Sequence, residues 1–180
     1  MIKAISIYLM VIAICFFCCV ANAQKGFRVE ISVGPTLADS KELFSYTLQG
    51  HVCYLWSLSD VVNLGASTGV VTFLGEGSNG DGSKGWFSSI PDVFMPLAVA
   101  SNFNISKSIY AGIDLGYALN ANYIGDNDGG FFNDSNGGFY MRPSMAYRLK
   151  EKLALVLSYT SIAEDNYNSA ALNIGLNFRF

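Results

Sequence analysis

In the stretch LQGHVCYLW, Gln49, His51 and Cys53 occupy alternate positions, so on an extended strand their side chains share one face. His51 is the chain's single histidine. As a general base it would need a hydroxyl nucleophile or substrate hydroxyl within reach, and an acid to orient it. No linear motif supplies either. Cys53 on the same face reads as a small buried filler rather than a nucleophile. One His with one Cys falls short of the tetrahedral donor set that zinc requires. No metal site and no cofactor is expected.

Two glycine-rich segments, Asn79-Gly80-Asp81-Gly82-Ser83 and Asp126-Asn127-Asp128-Gly129-Gly130, superficially resemble calcium loops. They lack the complete ligand pattern and flanking helices of an EF-hand, and their composition suits turns that tolerate positive φ. The same polar segments carry Trp86, Phe87, Phe131 and Phe132. Aromatics on otherwise polar loops can anchor a partner, so these four are candidates for binding an extracellular ligand, with packing onto the rim of the fold as the alternative.

These groups need elements to place them, and the chain's apolar residues recur with period two over long stretches. The pattern predicts eight strands, Phe27–Thr36, Tyr46–Leu58, Val61–Leu74, Val93–Asn104, Ile109–Tyr123, Gly138–Leu149, Leu153–Ala163 and Ser169–Phe180. Most exceed the usual soluble strand of about 5 or 6 residues. In the fifth, Ile109, Ala111, Ile113, Leu115 and Tyr117 oppose Tyr110, Gly112, Asp114 and Gly116. In the sixth, Phe139, Met141, Pro143 and Met145 oppose Tyr140, Arg142 and Ser144. One face suits an apolar medium, and the other is polar with many small residues. The polar register carries Arg28, Glu30, His51, Asp114, Arg142, Arg148 and Arg179; Glu30 and Asp114, withdrawn from water, are expected to pair with some of the arginines.

Links after the second, fourth and sixth strands are tight, while those after the first, third, fifth and seventh are longer. An even number of long strands, an apolar band and this asymmetry of connections are attributes of a transmembrane β-barrel. Closure follows because an open edge would leave backbone N–H and C=O groups unpaired in hydrocarbon, at several kcal/mol each. The first and last strands should therefore pair. Outward aromatics form two girdles, with Tyr46, Tyr123, Phe139 and Tyr159 toward the long loops and Trp56, Phe103, Tyr147, Phe178 and Phe180 toward the short turns.

Bulk composition agrees. The chain has 180 residues, 51% hydrophobic and 14% charged, with formal net charge -3, so nothing in it offers the basic surface that nucleic acid needs. Residues 1–23 read as a signal peptide, with an apolar run from Ala4 to Val20 followed by Ala21-Asn22-Ala23. Residues 24–180 then form one barrel domain. Three of the four cysteines lie in the leader, so the exported part keeps Cys53 alone and has no internal disulfide.

The whole exported segment resembles the small eight-stranded outer-membrane barrels of the OmpX and OmpA transmembrane-domain type and, more loosely, PorT-like barrels of Bacteroidota. The resemblance implies an all-β, antiparallel, up-and-down barrel in the cell outer membrane, in contact with outer-membrane lipid. In such proteins an alternating final strand closed by a carboxyl-terminal Phe is the signal read by the barrel-assembly machinery; Leu172, Ile174, Leu176, Phe178 and Phe180 match that pattern. An eight-stranded lumen is about large enough for its own side chains, which disfavours a porin. Three functions stay open at this point: a non-enzymatic scaffold with long loops for binding or adhesion, a lipid-modifying barrel enzyme with His51 as base, and a secreted lipocalin-like carrier. The last requires the apolar register to point inward.

Overall fold

The computed structural model describes residues 26–75, 92–121, 137–165 and 167–180. Eight antiparallel strands form a closed barrel in sequence order: β1 (Phe27–Ala38), β2 (Tyr46–Ser57), β3 (Val62–Leu74), β4 (Asp92–Asn104), β5 (Ile109–Asn120), β6 (Gly137–Lys150), β7 (Leu153–Ala163) and β8 (Asn168–Arg179). β1 and β8 zip the seam, with Val29 opposite Phe178, Ile31 opposite Leu176 and Val33 opposite Ile174. Each strand thus has two neighbours, and no ladder is left open to hydrocarbon.

The alternation sorts the two faces. Ile31, Leu97, Val99, Leu115, Leu157 and Ile174 lie on the outside, exposed by 42 to 59%, while their sequence neighbours Glu30, Asp114, Ser158 and Asn173 are buried in the lumen. An exterior of that kind is unstable in water and suits lipid. Leu115, Leu155 and Ile174 all face out, which overturns the lipocalin-like carrier. Tyr46 and Phe139 stand outward near one rim, and Trp56, Phe103, Tyr147, Phe178 and Phe180 near the other. Tyr123 lies outside the described residues.

Two of the tight connections use the same device. Ser59 Oγ accepts from the amides of Val61 and Val62 at 3.3 and 3.0 Å, and Ser106 Oγ accepts from those of Ser108 and Ile109 at 3.2 and 3.0 Å. A serine hydroxyl standing in for a backbone carbonyl is a compact way to reverse a chain. The third tight turn follows a bulge between Arg148 and Lys150. By the rule that short turns face the periplasm and long loops the exterior, this end and the β1–β8 seam near Phe180 are periplasmic.

At the opposite rim β1 runs two residues beyond the sequence expectation and leads into a 3-10 helix, Asp39–Glu42, that the alternation gave no sign of. Ala38, at φ 55°, takes the left-handed region to make the exit. Ser40 is fully buried there. Its hydroxyl donates to Leu37 O at 2.7 Å and accepts from the amide of Ala170 at 3.3 Å, pinning the helix over the seam. β5 ends at Asn120 rather than Tyr123, and β6 begins at Gly137. The expected signal peptide, residues 1–23, lies outside the described residues.

Candidate functional site

The lumen is built in layers. Near the loop rim the inward positions are Val71, Phe73, Phe94, Ala118, Tyr140, Ile162 and Ala171, an apolar cluster. Phe73 and Phe94 meet edge-on at 5.9 Å, and Phe44 leans on Phe73 at 6.1 Å. The expected interior, polar with many small residues, is therefore corrected for this half, which is apolar and aromatic. Strand alternation fixes which side chains point inward, but large inward residues gather only where register brings them to one height. Gly116 faces Tyr140 across β5–β6, and its missing side chain is required because a Cβ there would run into Leu97 O and Ala98.

Below the aromatic layer lie Thr47, bonded to Asn173 Oδ1 at 2.5 Å, and Thr160, which donates to Gln49 Oε1 at 3.1 Å. Deeper still is the charged layer. Register places Glu30 opposite His51 across β1–β2 and Asp114 opposite Arg142 across β5–β6. The two cross-strand pairs then join through the barrel: Arg142 Nη2 bonds Glu30 Oε1, and Arg142 Nη1 donates to Asp114 Oδ2 at 3.3 Å. His51 Nε2 lies 2.9 Å from Asp114 Oδ2, close enough for an ion pair although not aligned as a hydrogen bond. Asn177 Nδ2 donates to Glu30 Oε2 at 3.3 Å. All four titratable groups are at most 6% exposed.

Charge explains the convergence. Two carboxylates buried at one level repel each other unless a cation sits between them. Arg142, with a planar fork, reaches both from one position. His51, when protonated, balances the second carboxylate. Arg28, Arg148 and Arg179, the other candidates on this register, form no ion pair with Glu30 or Asp114. Arg148 instead donates to Ser106 O and Lys107 O at 3.1 and 2.8 Å and to Asn104 Oδ1 at 2.5 Å. Arg28 and Arg148 lie over the ring of Tyr110, 5.3 and 5.0 Å from its centre. Arg179 is exposed at the periplasmic mouth.

A cavity of about 20 Å³ remains beside the charged layer, bordered by His51, Cys53, Asp114 and Arg142. That is room for about one ordered water. Cys53 is buried, as a filler should be. Within the described residues, no group of three or more His, Cys, Asp or Glu is arranged to hold a metal. The calcium-like segments 79–83 and 126–130 and the aromatics Trp86, Phe87, Phe131 and Phe132 lie outside the described residues. Leu172, Ile174, Leu176 and Phe178 line the outward face of β8 and Phe180 follows the strand directly, each at least 40% exposed.

A sealed eight-strand cylinder with an apolar exterior and a lumen filled by its own side chains is a transmembrane β-barrel of the outer-membrane class. The chain belongs to the outer membrane protein beta-barrel domain family, whose model matches residues 9–180, and it resides in the outer membrane. No curated protein matches it. Among solved structures, Ail of Yersinia pestis in a phospholipid bilayer nanodisc is similar with a TM-score of 0.56 at 15% identity, over 86% of this chain and 99% of that one. The N-terminal β-barrel domain of Pseudomonas aeruginosa OprF aligns with a TM-score of 0.52 at 15% identity, over 87% and 98%. At such identities the likeness is one of fold.

Proposed function

We propose that the protein is a non-enzymatic outer-membrane scaffold whose long loops bind a partner outside the cell, in the manner of an adhesin. The observation that carries this reading is the filled lumen. An apolar layer of Phe73, Phe94, Tyr140 and Ile162 and a charged layer around Arg142 lie in series across it, leaving the barrel as a support rather than a conduit. The surface free to differ in function is then the loop rim, where residues 75–91 and 121–136 connect the strands and carry Trp86, Phe87, Phe131 and Phe132 as anchors.

His51 has an acid beside it, which favours a lipid-modifying enzyme as the second reading. Against it, Asp114 is also bound by Arg142, and both residues are nearly inaccessible. A substrate ester would have to displace the cross-barrel ion pair to reach the imidazole. The final strand, Leu172 to Phe180, serves in this proposal as the address for the barrel-assembly machinery as well as a lipid contact.

The test compares barrel-deficient cells expressing the native chain with cells expressing Trp86→Ser, Phe87→Ser, Phe131→Ser and Phe132→Ser together, at matched amounts of folded barrel. Attachment to surfaces and to other cells should fall to the barrel-deficient level in the fourfold variant. Attachment that follows barrel amount regardless of these residues contradicts the proposal. His51→Ala should leave the envelope lipid profile unchanged by mass spectrometry; an altered profile would favour the enzyme.

A further inference from the structure

At the periplasmic mouth Arg28 on β1 stands directly opposite Arg179 on β8, a like-charge cross-strand pair that is destabilising without a counter-ion. Arg28 shares the Tyr110 ring with Arg148. Lys150 and Lys152 complete the wall of the recess these arginines line, and the amide of Arg179 donates to Lys152 O at 2.9 Å, fixing the β6–β7 turn to the seam. The wall contains one acid, Glu151. Yet the ion pairs among the described residues all lie deeper, at Glu30, His51, Asp114 and Arg142. None reaches the five cations of the mouth, and none involves Glu151. Arg28 is 8% exposed and its Nε is buried with no hydrogen-bond partner.

We propose that this periplasmic mouth is a binding site for a phosphate group, held by Arg28 and Arg179, with Lys150 and Lys152 at the rim and with Arg148, whose Nη1 is already given to Ser106 O and Lys107 O, adding charge and its remaining N–H groups. Guanidinium forks match tetrahedral oxyanions with paired hydrogen bonds, and lysines add mobile point charge. A dianion offsets the Arg28–Arg179 repulsion more fully than a single carboxylate does. Two sources present that chemistry at this depth. The recess opens beside the outward aromatics Phe27, Phe178 and Phe180, the level of lipid headgroups, and it also faces soluble periplasmic phosphate.

The experiment uses the folded barrel in maltoside micelles, which contain no phosphate, at constant ionic strength. Backbone amide shifts at residues 148–152 and 179 are followed during titration with inorganic phosphate, and separately with phosphatidylglycerol added to the micelle. A saturable shift confined to the mouth is expected in at least one arm. Response to inorganic phosphate identifies a soluble ligand, and response to phosphatidylglycerol alone identifies a headgroup. Arg148→Gln with Arg179→Gln should weaken the response by at least about tenfold, as loss of charge-assisted hydrogen bonds implies, whereas Lys107→Gln, on a neighbouring turn, should change it less than about twofold. Should the arginine variant fail the heat-modifiability gel assay for folding, Lys150→Gln with Lys152→Gln carries the same expectation on exposed positions. No saturable response in either arm, or a response that Lys107→Gln reduces as much as the mouth variants do, overturns the proposal.

Discussion

The amide of Phe180 donates to the carbonyl of Phe27 at 3.1 Å, and their rings lie 5.8 Å apart. The last residue of the chain is thereby joined to the first residue of β1, and the barrel closes at its periplasmic edge through this pair. Deleting Phe180 removes a seam hydrogen bond, an aromatic contact and the proposed assembly address together. We expect a reduced level of heat-modifiable barrel in cells. Refolding of the same purified variant into lipid vesicles should be affected less, because a receptor-read signal is not needed there. Equal impairment in both settings would assign the residue to stability alone.

Lipid-facing substitutions should follow depth. Leu115 lies at the middle of β5, whereas Leu155 is two residues from the periplasmic start of β7. Leu115→Arg is expected to cost about 2 to 4 kcal/mol in folding into vesicles, with Leu155→Arg costing less because snorkelling to the interface is short. Equal costs would contradict the placement of the two residues. Asn120, although inward, is no neutral control: it is 5% exposed and donates to Asp92 Oδ1 at 3.0 Å.

The charged layer should respond as a unit. Arg142→Met leaves Glu30 and Asp114 buried together without their shared cation, and removal of one partner from such a group costs about 3 to 5 kcal/mol. Combining it with Glu30→Gln and Asp114→Asn should restore most of that loss. Vesicle folding titrations of the single and triple variants check this; a triple variant no more stable than Arg142→Met would show that the ion pairing is not what the arginine contributes.

How much of this was legible in the sequence depends on what alternation encodes. β7 has the bounds the pattern gives, Leu153–Ala163, because outward Leu153, Leu155, Leu157 and Tyr159 alternate with inward Ala154, Val156, Ser158 and Thr160. Parity also placed Glu30, His51, Asp114 and Arg142 inside. It could not say that Arg142, among four inward arginines, would hold both carboxylates. That choice is made by register, which sets Arg142 opposite Asp114 and carries Glu30 to the same height across the barrel. The Phe73–Phe94 layer was hidden for the same reason. The 3-10 helix at Asp39–Glu42 depends on tertiary contacts of Ser40 with β8 rather than on any local periodicity.

The loop rim carries a pH signature. Burial, then the nearby Asp92 carboxylate, raises the pKa of Glu164 above the ordinary glutamate value. The folded state thus holds this proton more tightly than the unfolded chain does. Glu164 is neutral and harmless at low pH, and stability falls as pH rises from the unfolded pKa through the folded one. Glu164→Gln should remove that decline and be the more stable form at neutral pH. Denaturation midpoints against pH, for both proteins, measure it; parallel curves would exclude a contribution from Glu164.

Hydrocarbon touches the outward register of the closed cylinder, and site-directed spin labelling in bilayers tests that contact most directly. In a Cys53→Ser background, single labels at Leu97, Leu115 and Ile174 should be accessible to oxygen, which partitions into lipid, and protected from a water-soluble nickel reagent. A label at the inward Ser144 should lack that lipid signature. Nickel accessibility at the three outward positions, or an oxygen profile shared by Ser144, would contradict the membrane-spanning arrangement.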